Sequence, residues 1–574
     1  MYKIVKLEDV VVDSSKELFV DFETIKLYGT IRLAQFFQRG WEEALLVEWP
    51  EPFSLAAMLD SQHIVAHNLH YEVTCVQQNT GTKWQPKKAD DTFLLARLHH
   101  VRKEFFSLDH VMQYTYGFCP YTQAGLDKKK LQKSNWASKT LTKDQSLYAA
   151  IDVFYLPEVY EQVQQQRENI SYKIDMLTLG YCCDFQWNGL SVDQDRMSQV
   201  YDDVSHKLAQ ITVPVNVNSP KQVKEWLDLE TTADLALAKI ELDPDQTRLV
   251  DGGYQLNEAA GLVRKARKLK KQLSFMSKFE DTVRDGKVYG KFKPSARSGR
   301  LTSDDQNLQQ LPRSLKSCFG TDEDRVIIYS DYAQIELRHI CALTNCITME
   351  QLFREGQDLH AYTAEMLFGK DWTKEHRQIS KTANFSLLYG GGIKMYIDIL
   401  IKTANIWISE REANKVRHKW RNLWREIYAW QQVGISAWQK GRLGSTPLGR
   451  KYKAKMMTDQ LNIENQGGAA DVNKLAMHYM VPKLKDTDFV IANNIHDSFI
   501  LEGPNDPEQY KYVGKMMARE MQRAWFECSK SLKITNLPMP VDVIVGTNWG
   551  EIENDDAPNI WEYSLDPYTT LKEV

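Results

Sequence analysis

VIIYSDYAQIELR, residues 326–338, decides the fold of this chain. An apolar, β-branched run leads into Asp331, and a helix-like pattern follows it. A second stretch, FVIANNIHDSFILEG at 489–503, sets two apolar runs on either side of His496-Asp497. That pattern predicts a β-hairpin with the acid at its tip. Two carboxylates brought together hold a pair of divalent ions about 3.5–4 Å apart, the arrangement used for in-line phosphoryl transfer. If Asp331 and Asp497 meet, the chain makes or breaks phosphodiesters. A helical block from about 346 to 440 separates them, which suits a sheet floor with helical walls.

At 574 residues the chain has room for two or more cores. No apolar run reaches the roughly 18 residues of a membrane span, and the N-terminus has no signal-like apolar segment, so a cytoplasmic, non-secreted protein is expected (host cytoplasm if viral). The eight Cys form no CxxC pair and are expected to be reduced thiols. A net charge of −4 does not advertise a nucleic-acid binder, but its distribution is uneven. VRKARKLKKQL at 263–273 is strongly basic, as are Lys128–Lys130 with Lys133 and the stretch Lys287 to Arg300. Each run alone reads as a solvated face; three near phosphate chemistry would form a phosphate track. The C-terminal residues from Glu551 onward are acidic and read as a solubilising tail or a docking site for a helicase or single-strand-binding protein.

The N-terminal part alternates short strands with helical patterns, as in a mixed α/β domain. In LFVDFET, 18–24, strand alternation puts Asp21 and Glu23 on one face. AHNLHYE, 66–72, offers Glu72, and YAAID, 148–152, sets Tyr148 and Asp152 on one helix face. An ordinary surface acid pair would explain the first motif alone. Together the three segments resemble the motifs of DEDDy-type 3′–5′ exonucleases, which implies that Asp21, Glu23, Glu72 and Asp152 bind two divalent metals while Tyr148 orients the attacking water. The family usually carries Asp where Glu72 stands. A displacement of about 1 Å can cost about 10²-fold in rate, so a weakened or retuned nuclease is expected.

From about residue 180 to 550 the chain is similar to family A DNA polymerases, and a compact phage-type plan without a 5′-nuclease domain is expected. SGRLTSDDQNLQQLPR at 298–313, the Asp331 segment, RQISKTANFSLLYGGG at 377–392, QLNIENQGGAADVNK at 460–474 and the Asp497 hairpin follow in the family's order. Arg377, Lys381, Phe385 and Tyr389 recur every four residues, so a helix would carry them on one face until Gly390-Gly391-Gly392 ends it. Two cations followed by two aromatics suit a nucleoside triphosphate; a helix with core aromatics and surface cations is the plainer alternative. The resemblance implies two Mg²⁺ per active site, with Mn²⁺ able to substitute, held by Asp331, Asp497 and the Tyr332 carbonyl. It further implies phosphate binding by Arg377 and Lys381, proton donation to pyrophosphate by Lys381, packing of Phe385 on the incoming nucleotide, and shaping of the nascent pair by Tyr389. Glu336 would exclude ribose sugars, and His496 would support the primer terminus. Arg300, Asn307, Gln309, Asn462 and Gln466 would read the minor groove, whose acceptors are nearly sequence-independent. Ser498 stands where Glu is common, Asn494 where Gln is common and Phe385 where some members carry Tyr, which puts supporting contacts rather than the metal pair in question.

The expected architecture is an RNase H-like mixed-sheet exonuclease domain, 1–175, followed by a right-hand polymerase, 176–574. The latter has a thumb at about 200–280, an antiparallel-sheet palm at about 281–345 and 441–574, and helical fingers at about 346–440. The expected activity is template-directed extension of a primer by a monomer using deoxynucleotides, with proofreading. A single-subunit RNA polymerase, a DEDDy nuclease with a nucleic-acid-binding C-terminal half and a silent DNA-binding scaffold are the alternatives.

Overall fold

The structure, a computed structural model, describes residues 1–304 and 306–552. The chain divides into two compact units. The first comprises 1–188 with two later segments, 291–304 and 448–453, and the second holds the remainder. The expected boundary at 175 therefore falls inside a helix, Ile170–Asn188. The polar stretch 159–177 that leads into it does not form one continuous helix. A 3-10 turn at Gln164–Glu168 ends at Asn169, whose extended backbone and side-chain oxygen, accepting from the Ser171 amide, start the next helix afresh.

In the first unit, strands β1 (Tyr2–Ile4), β2 (Glu17–Thr24), β3 (Ile31–Gln38), β4 (Ala44–Glu48), β5 (His63–Ala66) and β6 (Lys88–Asp91) form one mixed sheet in the order β1-β4-β3-β2-β5-β6. The β2–β3 and β3–β4 pairs are antiparallel, and the other three are parallel. Phe19, Phe36, Leu46, Ile64 and Leu95 are fully buried in its core. Two helices deliver functional side chains: α1 (His70–Thr80) and α2 (Lys143–Phe154), the latter fixed at its start by a capping box between Thr142 and Gln145. A short antiparallel hairpin, Lys291–Lys293 with Thr302–Asp304, belongs to this unit rather than to the palm where the sequence had placed it.

The second unit is built on a four-stranded, wholly antiparallel sheet. Its strands β7 (Arg325–Tyr332), β8 (Val490–Ile495), β9 (Ser498–Pro504) and β10 (Val541–Gly546) run in the order β8-β9-β7-β10. The alternation of Val326, Ile328 and Ser330 on β7 turns one face toward the long helix Pro507–Ser529, where the Ser330 hydroxyl meets the sulfur of Met521 and the Tyr332 phenol donates to the Met521 carbonyl at 2.8 Å. The opposite parity, Tyr329 and Asp331, faces away from that helix. Between 347 and 439 the structure is helical, including α3 (Lys374–Ser386) and α4 (Arg425–Gln439); a 28-residue helix, α5 (Met457–Leu484), follows. A separate small core of Val223, Trp226, Leu237 and Val263 organises the region near 210–270.

The basic runs are only partly a solvated face. Within helix Leu256–Glu280, Arg264 pairs with Asp234 and Glu241, and Arg267 donates to the carbonyls of Val217 and Thr232. Lys265, Lys268 and Lys271 remain exposed on one face. Lys287 pairs with the buried Glu502 at 3.0 Å. The acidic tail beyond Ile552 lies outside the described residues.

Two candidate active sites

In the first unit, β2 places Asp21 and Glu23 on one face, and α2 brings Asp152 to them. Ligand oxygens of the three lie within 4.8 Å of one another. Burial pushes all three carboxyls up, and mutual repulsion adds to it for Asp21 and Glu23; the Asp152 carboxyl stands at about 6. Hydrogen bonding from Tyr148 tempers Glu23 and Asp152, and the nearby Lys128 ammonium pulls all three down. Lys128 is itself anchored 2.8 Å from Asp109 and lies over the Tyr121 ring.

Glu72 is buried beside this set but outside it. Desolvation and the Asp21 charge raise its carboxyl, and its Oε2 is buried with no hydrogen-bond partner. The turn that delivers Glu72 is pinned by Asp91, whose carboxylate accepts from the Asn68 and Leu69 amides at 3.0 and 3.2 Å. Asp91 and Tyr121, whose phenol donates to Asp152 Oδ1, were not singled out from the sequence. Asp91 had a local signal, an acid ending a strand and capping the helix Thr92–His99. Tyr121 had none, because its partner is 31 positions away.

Three close carboxylates, poorly stabilised as anions, with buried oxygens of Asp152 and Glu72 lacking partners, fit a site for divalent cations.

In the second unit Asp331 lies near the end of the central strand β7. Its register partners are Ser498 on β9 and Asp542 on β10. His496 and Asp497 are the two residues of the β8–β9 turn, and His496 takes a left-handed backbone, φ 60°. A two-residue hairpin turn needs positive φ there, a conformation unfavourable for a residue with a Cβ, and such strain concentrates at functional sites. The turn sets Asp497 against Asp331. Burial first, then the charges of Asp497 and Asp542, raise the Asp331 carboxyl well above the usual range, while the Tyr329 phenol donates to Oδ2 at 3.3 Å. Asp331 Oδ1 is buried with no hydrogen-bond partner, so this set also fits a divalent cation. Sequence reading missed Asp542 as part of this group, since a cross-strand neighbour cannot be seen without the register. Tyr332 turns its phenol into the core toward Met521, leaving its backbone at the strand end.

On α3 the residues Ile379, Ser380, Thr382 and Ala383 are buried, whereas Arg377, Lys381 and Phe385 lie on the open face. The helix therefore does not bury these three side chains in a core. Arg377 holds Asp358 at 2.7 Å, and the Phe385 ring lies against His360. Tyr389 is not on the helix as expected. The helix stops at Ser386 because Gln431 of α4 takes the carbonyls of Leu387 and Leu388 at 2.6 and 2.7 Å, and Gly391 donates to the Ser386 carbonyl. The turn aims the Tyr389 phenol at the Glu336 carboxylate, to which it donates.

Asn462 and Gln466 share a partly exposed face of α5, with Asn462 Oδ1 lacking a partner. Asn307 accepts from the Gln309 amide, and Gln309 donates to the Asn494 carbonyl at 3.0 Å, tying this segment to β8. Arg300 belongs to the first unit.

A family model described as DNA polymerase family A matches residues 189–551. The chain belongs to this family. A second model, 3'-5' exonuclease, matches residues 6–168. The family member DNA polymerase I of Aquifex aeolicus (strain VF5) is 26% identical over 578 residues, covering 94% of this chain and 96% of that protein. The thermostable DNA polymerase I of Thermus filiformis is 27% identical over 294 residues, 47% of this chain and 33% of that one. The matched region thus spans about a third of the Thermus enzyme. In fold the chain is similar to the POL domain of Pol1 from M. smegmatis, solved in complex with DNA primer-template and dNTP. The TM-score is 0.71 at 18% identity, covering 94% of this chain and 96% of that one.

Proposed function

We propose that the second unit extends a primer 3′ end with deoxynucleotides against a DNA template, and that the first unit removes nucleotides from that end. The observation that carries this reading is the placement of Asp331 and Asp497 by a central strand and an adjoining two-residue turn, with a buried carboxylate oxygen left unpartnered. Asp331 and Asp497, with the Tyr332 carbonyl, would hold the cations of the polymerase site, and Asp21, Glu23 and Asp152, with Glu72 next to them, those of the nuclease. When bound, two Mg²⁺ (or Mn²⁺) per site activate the attacking oxygen and neutralise charge on the phosphoryl group.

The remaining work falls to fixed side chains. Arg377 and Lys381, on the open face of α3, receive the triphosphate, and Lys381 gives a proton to departing pyrophosphate. Phe385 packs on the incoming nucleotide, and Tyr389 with Glu336 closes the space beside C2′. His496 supports the primer terminus. Asn462 and Gln466, with Asn307 and Gln309, contact the minor groove; Arg300, in the first unit, is a separate candidate contact. In the first unit Tyr148 orients water beside Glu23 and Asp152. Asp542 adds negative charge opposite Asp331, in the sheet position flanking the site where Ser498 offers none.

The enzyme would act as a monomer on primer–template DNA in the cytoplasm; all eight cysteines are free thiols, and no helix among the described residues is long and apolar enough to cross a membrane. The test is a 5′-labelled primer annealed to a longer template, incubated with Mg²⁺ or with chelator. Lengthening with deoxynucleotides and shortening without them are expected, both abolished by chelation. Faster use of ribonucleotides than deoxynucleotides would replace this reading with an RNA polymerase.

A further inference from the structure

The pair formed by Tyr389 and Glu336 is held from behind by a residue outside both metal sites and outside the nucleotide-binding face of α3. Asn465 is fully buried on α5. Its Nδ2 donates to the Glu336 carbonyl and to the Tyr389 hydroxyl, both at 3.1 Å. Its Oδ1 accepts from His339 Nδ1 at 2.8 Å.

The direction of every bond in this chain is fixed. Tyr389 has one hydroxyl proton and spends it on the Glu336 carboxylate, so toward Asn465 it can only accept. Asn465 must therefore present its amide nitrogen to Tyr389 and its oxygen to His339, and His339 must carry its proton on Nδ1. Burial keeps His339 neutral at physiological pH, with its pKa lowered to about 4. Its Nε2 is buried without a hydrogen-bond partner against Gly468, where a Cβ would collide with the ring. The imidazole is thus wedged by the backbone of the same helix that carries Asn465, and it cannot swing to offer the other nitrogen.

We propose that Asn465, oriented by His339, is a positioning residue for sugar selection: it fixes the Tyr389 hydroxyl and the Glu336 backbone so that the Glu336 side chain stays in the space beside C2′ of the incoming nucleotide. This rests on the reading of Glu336 as the sugar-excluding residue. A gate held by one long, rotatable side chain can yield to a 2′-hydroxyl. One braced at its backbone and at its carboxylate must break a buried hydrogen bond to do so.

The experiment measures kcat/KM for a deoxynucleotide and the matching ribonucleotide in the full chain carrying Asn465→Leu, His339→Phe or Glu336→Ala. Asn465→Leu keeps the branched four-atom outline of the side chain and removes all three bonds; His339→Phe keeps an aromatic ring and frees the Asn465 amide to turn. The deoxy-to-ribo ratio is expected to fall about tenfold or more for Asn465→Leu, through faster ribonucleotide use, and by a smaller factor in the same direction for His339→Phe. Deoxynucleotide KM should stay within about threefold of wild type. If Glu336→Ala relaxes the ratio while both other variants keep it, or if they slow both sugars equally, Asn465 has no part in selection and the proposal is overturned. If Glu336→Ala itself keeps the wild-type ratio, the gate reading fails and the proposal falls with it. Should Asn465→Leu not fold, His339→Phe decides between these results alone.

Discussion

Replacing Asp331 by Asn should stabilise the metal-free protein while abolishing synthesis. Asp331 is half-buried on the central strand beside Asp497 and Asp542, with a phenol from Tyr329 as its hydrogen-bond donor. Two like charges about 5 Å apart repel by about 3 kcal/mol at an effective dielectric near 20. Asp542 is exposed, and solvent screens its share, so the expected gain from Asp331→Asn is about 1–3 kcal/mol, or a melting-temperature rise of roughly 1–4 °C. The pH dependence has a definite sign. An unfolded Asp ionises near 3.8, and the folded carboxyl does so only well above that. The folded state therefore loses stability as pH climbs from about 4 and has lost all of it once pH passes the folded value. The advantage of Asp331→Asn in chelator should grow as pH rises above about 4 and shrink toward zero near pH 4. Adding Mg²⁺ should raise the melting temperature of the wild type more than that of the variant. Primer extension should fall by at least about 10³-fold, the scale expected when a main electrostatic element of a phosphoryl-transfer site is removed. A variant less stable than wild type in chelator at pH 8 would refute the reasoning, because it would mean that the Asp331 charge is already compensated within the fold.

The first unit should respond to pH in the same sense. With the Asp152 carboxyl at about 6, divalent ions must displace a proton below that value, so their stabilising effect should be larger at pH 7.5 than at pH 5, and Asp152→Asn should flatten the difference; differential scanning fluorimetry reads both. Glu72→Gln, which keeps shape and removes charge, should slow primer degradation about 10²-fold and leave extension unchanged on the same gels; unchanged degradation would exclude Glu72 from the metal site. Replacing the exposed Lys265, Lys268 and Lys271 together by Gln should weaken duplex binding and reduce the salt slope of log K by about 2–3, as measured by fluorescence anisotropy across a salt series.

The readable parts of this chain were those whose chemistry is local. A strand-forming run before Asp331 and such runs on both sides of Asp497 announced the acids, and the alternation in LFVDFET put Asp21 and Glu23 on one face, where the structure has them. What could not be read depends on distant partners. The end of α3 is set by Gln431, so counting helical turns overshot to Tyr389. Asp542 joins the acid group only through strand register, and Asn465 meets His339 across 126 positions. The basic runs looked alike in sequence, yet Arg264 and Arg267 serve their own domain's hydrogen bonds while Lys265, Lys268 and Lys271 face outward. The hairpin 291–304 sits in the first unit although its neighbours in sequence belong to the second, and nothing in its composition announces that exchange.

The most direct test of two independent metal-dependent sites is a crossed pair of variants on one labelled primer–template, Asp331→Asn and Asp21→Asn, each assayed with and without deoxynucleotides in Mg²⁺. Asp331→Asn should still shorten the primer and fail to lengthen it, and Asp21→Asn should lengthen it and fail to shorten it. Loss of both activities in either variant, or loss of neither, would contradict the assignment of one reaction to each unit.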